Sequence, residues 1–424
     1  MMNRLRVTPG PVLALTAVWL ATRALMSWLL THDSSPLLGG GSVPREVWRL
    51  YFHWYGVLSH GAFPAHDSTW QYPPGAGAVL LAPGLLPWLT YFQAFVVLTL
   101  AADALIAAAL VRAGTRPGRS LFGATVWTCG LPLLLHVPLA RYDVQVTALA
   151  VISLLTLGRS PRAGGVFSAL GALVKVWPGL VLLGTPRGPV TRRAWGWSVA
   201  AGCAFLALLA LSFDNPLAFL REQGGRGVQI ESLGGTALNL ARHAGWSGRA
   251  RYQYGAIELV GPHVPAVATT SLALTAAALG LLLLWRVRAR HWSPATPYDA
   301  ALAAVLLFTV TSRVISPQYM IWLIGLAAVC LTSRHTSQRP VAVLILAASA
   351  LTSVAFPMFY REVVAGSWTG CLLMLARNGL LAAAAVLSFV RLWRSARPPS
   401  GKPAPSTQPR PDSDRLPDRA LSIS

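Results

Sequence analysis

The sequence predicts an all-α polytopic membrane protein. Of its 424 residues, 54% are hydrophobic and only 12% are charged. Apolar runs of about 17 to 25 residues are long enough to cross the roughly 30 Å hydrocarbon layer as helices. Barrel strands would alternate apolar and polar side chains, and these runs do not. All four cysteines fall within apolar runs, which argues against a disulfide framework or a zinc site.

Ten apolar runs are expected to span the membrane. They lie near residues 11–30, 90–111, 120–136, 142–158, 194–212, 265–285, 298–312, 316–332, 340–356 and 371–390. With this number of spans the Lys and Arg clusters between them fall on one side, which marks that side as cytoplasmic. We therefore expect a plasma-membrane domain over residues 1–395 with both termini in the cytoplasm. Residues 396–424 are rich in Pro, Ser, Arg and Asp, and they predict a disordered cytoplasmic tail.

Two further apolar stretches are not expected to cross. Residues 75–89 are short and broken by two prolines, which favours a half-embedded helix on the outer side. Residues 163–185 carry basic clusters at both ends and are interrupted at Lys175, Pro178 and Gly179, which favours a re-entrant hairpin. Broken backbone at membrane depth is tolerated where protein or a water-filled cavity surrounds it, so the break points to a cavity.

Two large loops, residues 31–74 and 214–265, then face outward. The net charge of +21 is explained mainly by cytoplasmic anchoring beside anionic membrane lipids, so nucleic acid is not expected as a partner. Several arginines nevertheless lie in the second outer loop. Either long loops are exempt from the charge rule, or these side chains receive an anionic ligand such as a lipid phosphate.

The first outer loop holds the acid and base candidates. Glu46, Tyr51 and Tyr55 recur at spacings of five and four, so a helix lying on the membrane would bring them together. Trp70 and the neighbouring aromatics suit both an interfacial belt and stacking on a sugar.

The end of this loop is stiffened by prolines. Tyr72-Pro73-Pro74 is expected to form a rigid extended turn that aims Asp67 and Gln71 at whatever lies beneath the loop.

Ionisable residues at membrane depth are functional candidates because burying them there is costly. For Asp103 an inter-helix polar contact is favoured over catalysis. Lys175 lies at the break of the predicted hairpin, where structural pairing and ligand binding both remain open. Arg141 and Arg313 are predicted at the outer interface, where a guanidinium suits the phosphate of a polyprenyl lipid; snorkelling beside the bilayer would also explain them.

Several motifs together resemble glycosyltransferase family 87, within the GT-C superfamily. An acidic residue, Glu46, precedes V-x-x-x-Y and is followed by W-Q-Y-P-P-G at residues 70–75. The later segments ARYD (140–143), LVKVWP (173–178), RGVQIES (226–232) and SRVISPQYMIWL (312–323) extend the similarity over most of residues 11–390.

This resemblance implies a GT-C fold with the active site at the outer membrane face, beneath the first loop. It implies inverting transfer of a hexose, typically mannose, from a polyprenyl-phosphate-sugar donor to a lipid or glycan acceptor. In the family a first-loop aspartate is the catalytic base, and here that position is Glu46; Asp67 is the alternative base. No D-x-D pair occurs in the outer loops, so no cofactor is required, and a divalent metal stays an open alternative.

The resemblance also assigns binding roles. Candidates for the departing phosphate are Arg141, Lys175, Arg226 and Arg313. Candidates for sugar and acceptor binding are Tyr51, Trp70, Gln71, Tyr72, Tyr142, Asp143, Gln318 and Tyr319.

Two other functions compete with transfer. A transporter or flippase of lipid-linked sugars would show repeated halves and polar groups near the midplane, whereas the polar groups here gather at the outer face. A catalytically impaired envelope-assembly protein is favoured only by the glutamate at position 46.

Overall fold

The computed structural model describes residues 9–64, 67–222 and 225–396, without the side chains of residues 221 and 222. The predicted tail therefore lies, apart from residue 396, outside the described residues. Sixteen α-helices make up most of the described chain. They are α1 (Pro9–Thr31), α2 (Phe52–Ser59), α3 (Gly75–Leu81), α4 (Tyr91–Gly114), α5 (Phe122–Gly130), α6 (Asp143–Leu157), α7 (Pro161–Val174), α8 (Pro189–Ser212), α9 (Phe219–Glu222), α10 (Leu233–Arg242), α11 (Val264–Arg288), α12 (Thr296–Thr311), α13 (Tyr319–Leu331), α14 (Arg339–Ser353), α15 (Tyr360–Ala365) and α16 (Trp368–Ser395).

Shorter helical pieces connect them. Stretches of 3₁₀-helix cover Pro36–Leu38, Ala82–Leu85, Leu131–Leu134, Val137–Ala140 and Trp177–Gly184, and π-helix covers Glu46–Tyr51 and Val354–Met358.

Six described helices are long and apolar enough to cross a membrane: α1, α4, α8, α11, the segment Arg339–Met358 and α16. Each coincides with a predicted span, and the helical multi-pass fold class is confirmed. The remaining four predicted spans correspond to helices of 10 to 17 residues, so the count of ten is not confirmed.

The short helices form the interior of the bundle. Twelve of the 13 residues of α13 are buried, as are 12 of the 16 residues of α12. At 1.5 Å per residue α13 measures only about 20 Å, which is less than the hydrocarbon thickness. Helices α12 and α13 are apolar on all sides because other helices surround them. The sequence alone does not distinguish this from a helix surrounded by lipid.

The segment predicted to be a hairpin folds back on itself. Helix α7 ends at Val174, Lys175 is extended, and 3₁₀-helix begins at Trp177. The Ser168 hydroxyl in the middle of α7 donates to the Pro178 carbonyl at 3.0 Å. The two arms therefore run side by side, and the turn places Lys175 at the tip.

Residues 214–265, predicted to form the second outer loop, contain a sheet that the all-α prediction lacks. Strands β1 (Val228–Gln229), β2 (Arg249–Gln253) and β3 (Ala256–Val260) pair antiparallel in the order β1-β3-β2. Helix α10 follows β1, with the Ser232 hydroxyl capping its first turn by accepting from the Gly235 amide at 2.9 Å. The sheet and the first loop both contribute side chains to one cavity.

Buried polar pairs connect helices across the bundle. Asp103 on α4 accepts from Arg23 on α1, with its two oxygens 2.7 and 2.9 Å from the guanidinium nitrogens. The indoles of Trp19 and Trp127 donate to the same carboxylate at 2.9 and 2.7 Å. The inter-helix role expected for Asp103 is therefore confirmed.

Candidate active site

A cavity of about 590 Å³ lies between the first loop, the sheet and the connection from α12 to α13. Its walls include Glu46, Arg141, Glu231, Tyr252 and Gln318. It combines carboxylates, guanidiniums, amides and aromatic rings, which are the groups that bind sugars and phosphates. Three of the residues predicted from sequence, Glu46, Arg141 and Gln318, line this one space.

Glu46 and Arg141 face each other in the cavity. The Glu46 Oε2 and Arg141 Nη2 atoms are 3.9 Å apart, and their side chains are 23% and 7% exposed. Glu46 begins the π-helix of the first loop, whose Val47 and Tyr51 are buried in the core. Single-turn π-helices are frequent at functional sites, and this one holds the carboxylate at the cavity wall.

The guanidinium of Arg141 is fixed by the backbone. Its Nη1 donates to the carbonyls of Val43 at 3.1 Å and Ala140 at 2.7 Å. Its Nε is buried and makes no hydrogen bond within the described part of the chain. A guanidinium held rigidly in this way is suited to an anionic group that enters the cavity.

Glu231 is a second carboxylate in the cavity, and it was not singled out from the sequence. Its Oε2 accepts from Arg377 Nη2 of α16 at 3.1 Å, and the residue is only 2% exposed. Burial raises the pKa of Glu231 to about 7, although Arg377 and Arg141 act in the opposite direction. The signal available in sequence was the RGVQIES motif itself, together with Arg377, a charged residue inside the predicted span 371–390.

Aromatic and amide side chains complete the walls. Tyr252 on β2 is 60% exposed and lines the cavity, as does the ring of Tyr360. Gln318 immediately precedes α13, and Gln229 donates to the Ser316 hydroxyl at 3.2 Å. Tyr254 and Gly255, with φ angles of 53° and 73°, form the turn of the hairpin that carries Tyr252.

Lys175 lies in an aromatic cage that adjoins the cavity. Its ammonium is 2.6 Å from Asp143 Oδ1, which also accepts from the Trp322 indole at 2.6 Å. The rings of Tyr142 and Trp322 have their centres 4.9 Å from the ammonium, and those of Tyr72 and Tyr319 lie at 5.9 and 5.6 Å. Arg141 lines the cavity, and the two residues that follow it, Tyr142 and Asp143, belong to the cage, so the two sites share a wall.

The polar atoms of this cage are not all paired. Asp143 Oδ2 and the Tyr142 hydroxyl are buried and make no hydrogen bond within the described residues. Of the two roles left open for Lys175 by the sequence, the structure contains a pairing, because Asp143 provides the ammonium with a counter-charge.

Asp67 lies in a turn outside this cavity's lining. Its Oδ1 accepts from the amide and hydroxyl of Thr69 at 2.8 and 2.5 Å, and its Oδ2 accepts from the Trp54 indole at 3.0 Å. Burial alone would raise the pKa of Asp67, but the hydrogen bonds from Thr69 and Trp54 together hold it below its usual value. A carboxylate stabilised in its charged form is a weaker base, and the D-x-T spacing is typical of such turns.

The neighbouring first-loop candidates pack into protein. Trp70 is fully buried against Trp54 and Tyr72, with ring centres 5.1 and 5.8 Å away. Gln71 donates to the Ser68 carbonyl at 2.7 Å. Tyr51 lies against Trp54 and Tyr142 in the core. These aromatics support the loop rather than lining the cavity.

Arg226 and Arg313 join the sheet to the α12–α13 connection. Arg226 Nε is 3.3 Å from Glu258 Oε1, and Arg313 Nη1 donates to the Arg226 carbonyl at 2.9 Å. Glu258 also accepts from the Gly227 amide at 2.9 Å. Within the described ranges no group of three His, Cys, Asp or Glu side chains is placed to hold a metal ion.

Comparison with known proteins gives a family and a distant structural likeness. The model of glycosyltransferase family 87 matches residues 70–317. The crystal structure of ArnT from Cupriavidus metallidurans bound to undecaprenyl phosphate is similar to this chain at 14% identity and a TM-score of 0.45; the alignment covers 92% of this chain and 79% of that one. No curated protein matches the chain. Because the family model matches more than half of the sequence, the chain belongs to glycosyltransferase family 87 and is a membrane glycosyltransferase.

Proposed function

We propose that this glycosyltransferase moves a hexose, mannose by its family resemblance, from a polyprenyl-phosphate carrier to a hydroxyl of a lipid or glycan acceptor. The GT-C fold and the inverting outcome belong to the same proposal. The observation that carries it is the cavity in which the Glu46 carboxylate faces the Arg141 guanidinium at 3.9 Å.

The proposed chemistry uses both groups. Glu46 takes the proton of the acceptor hydroxyl while the oxygen of that hydroxyl attacks the anomeric carbon of the donor sugar. The bond from that carbon to the phosphate oxygen breaks, and the polyprenyl phosphate leaves with the electron pair. Arg141 is the favoured phosphate ligand, because it lines the cavity and stabilises charge where it develops.

The other predicted cations are assigned supporting roles. Lys175 and Arg226 already face Asp143 and Glu258, so each would need to exchange a carboxylate for the phosphate. We assign Glu46 as the base ahead of Asp67, since Asp67 is held by three hydrogen bonds in its turn.

We propose further that the cavity opens at the outer membrane face and that both termini are cytoplasmic. Arg49 lines the cavity and is exposed, so a cysteine there reports sidedness. In a background with the exposed Cys129 and Cys203 replaced, Arg49→Cys in intact cells should react with an impermeant maleimide. Protection in intact cells with reaction in broken membranes would overturn this topology.

The transfer itself is tested with membranes that contain the overexpressed protein. Radiolabelled polyprenyl-phosphate-mannose should yield a new labelled lipid or polymer that control membranes do not form. If the label stays on the carrier with every lipid and glycan acceptor supplied, the proposed function is contradicted. Movement of the intact labelled carrier between leaflets without product would instead identify a flippase.

A further inference from the structure

We propose that Glu231 is a sugar-binding residue of the cavity, accepting hydrogen bonds from hydroxyls of a hexose ring, and that Arg377 is its positioning residue. This inference rests on the proposed glycosyl transfer and adds to it a determinant of which sugar is accepted. It concerns binding only, so Glu46 remains the base.

The first step is the place of Glu231. Its side chain contributes to the cavity wall that also holds Glu46 and Arg141, although the residue is 2% exposed. A carboxylate has about four lone-pair directions, and Glu231 Oε2 uses one of them for Arg377. Within the described chain Oε1 receives no hydrogen bond, and it does not belong to the buried unpartnered atoms. It is therefore open to a donor that enters the cavity.

The second step is that the Glu231–Arg377 pair is not self-sufficient. Arg377 is fully buried in α16, and its Nε and Nη1 make no hydrogen bond within the described residues. A purely structural buried pair is stable only when its remaining donors and acceptors are also satisfied. The unused groups on both sides of this pair indicate that something polar normally completes the network.

The third step is rigidity. The Ile230 amide, one residue before Glu231, donates to the Ile257 carbonyl at 3.2 Å, and the Asn378 side chain donates to the Glu231 carbonyl at 3.2 Å. Ser232, one residue after, caps α10. The carboxylate is thus held from the sheet, from α10 and from α16, so binding a hydroxyl costs little further ordering.

At Glu231 the cavity favours a sugar hydroxyl, whereas the donor phosphate is assigned to Arg141. A phosphate would meet repulsion from Glu231, whereas sugar hydroxyls are hydrogen-bond donors that carry no charge. Tyr252 and Tyr360 in the same cavity provide rings against which a sugar face packs. The hydroxyl belongs either to the donor hexose or to a sugar of the acceptor, and substrate analogues distinguish the two.

The test compares Glu231→Gln with wild type on monodeoxy analogues. Polyprenyl-phosphate-mannose and its monodeoxy forms make one series, and octyl mannoside with its monodeoxy forms makes the other. The analogue that lacks the hydroxyl bound by Glu231 should have a kcat/KM about 10- to 100-fold below that of the parent sugar in wild type. In Glu231→Gln this penalty should shrink to a few-fold. The series in which the penalty shrinks identifies the source of the hydroxyl.

Two further variants separate binding from structure. Glu231→Gln/Arg377→Met removes the charge on both sides, so it should recover thermal stability but not the lost discrimination. Asp299→Asn is the matched control, because Asp299 is also a buried carboxylate and is bound to Thr336 and Ser337 far from the cavity. It should leave discrimination among the analogues unchanged.

The outcomes are decisive in each direction. Unchanged discrimination in Glu231→Gln, or its full return in the double variant, would overturn the sugar-binding role. Thermal stabilisation by the unreacted donor and by octyl mannoside provides a readout that needs no transfer, and Glu231→Gln should lose it for one of them. Wild type that is stabilised but forms no product would contradict the proposed transfer while supporting the binding site.

Discussion

Loss of the Lys175 charge should destabilise the protein strongly. The ammonium and Asp143 Oδ1 are 2.6 Å apart, with side chains 13% and 0% exposed, and the Trp322 indole completes the site. Removing one partner of a buried pair leaves the other charge uncompensated. Lys175→Met is therefore expected to lower the free energy of unfolding by about 3 to 5 kcal/mol.

A double-mutant cycle tests the reasoning. Asp143→Asn alone should cost a similar amount, and the double variant should cost less than the sum by about 2 kcal/mol, because the second change removes the charge stranded by the first. Equilibrium unfolding in mixed micelles, followed by tryptophan fluorescence, measures each term.

The control for this cycle is Arg288→Met, which removes an exposed cation and should change the free energy of unfolding by less than about 0.5 kcal/mol. Additive single effects, or a Lys175→Met variant as stable as this control, would refute the role of the pair.

Three other outcomes are expected. Arg141→Lys keeps the charge but loses the planar fork, so kcat/KM for sugar transfer should fall about 10- to 100-fold; an unchanged value would remove Arg141 from the phosphate site. Asp103→Ala leaves the buried Arg23 guanidinium without its counter-charge, so it should lower the free energy of unfolding by about 3 to 5 kcal/mol. The same unfolding titration measures this, and an unchanged free energy of unfolding would contradict it. Because burial raises the pKa of Glu231 from 4.5 to about 7, the native state keeps a proton that the unfolded chain releases. Thermal unfolding should therefore show stability present below about pH 4.5 and lost as the pH rises through about 7, and Glu231→Gln should flatten this slope; identical slopes would contradict it.

The sequence predicted the features that depend on local composition. Helices α1, α4 and α16 are long apolar runs with clear ends, and their burial in lipid requires no knowledge of tertiary contacts. The break at Lys175 was predictable from the lysine itself and from Pro178 and Gly179 after it. Helix α13 was placed correctly along the chain, but its enclosure by other helices depends on packing that a window of residues does not contain.

The site was predicted in part. Glu46 and Arg141 were found through motif order, and the structure brings them to one cavity although they are 95 residues apart in the sequence. Glu231 was missed because its partner Arg377 is 146 residues away. Asp67 was considered as a base, yet the Thr69 two residues later already indicated a turn in which its oxygens are used. Strand β2, with the sequence RARYQ, lacks the apolar alternation that identifies strands.

The central claim is that Glu46 is the catalytic base of a sugar transfer within the cavity. The most direct test is the initial rate of transfer from labelled polyprenyl-phosphate-mannose by purified Glu46→Gln, compared with wild type at equal amounts of folded protein. The account predicts a fall of about 10²- to 10⁴-fold with the donor still bound, because only proton removal is lost. A Glu46→Gln variant that retains transfer within a few-fold of wild type would contradict the account and move the base to another carboxylate.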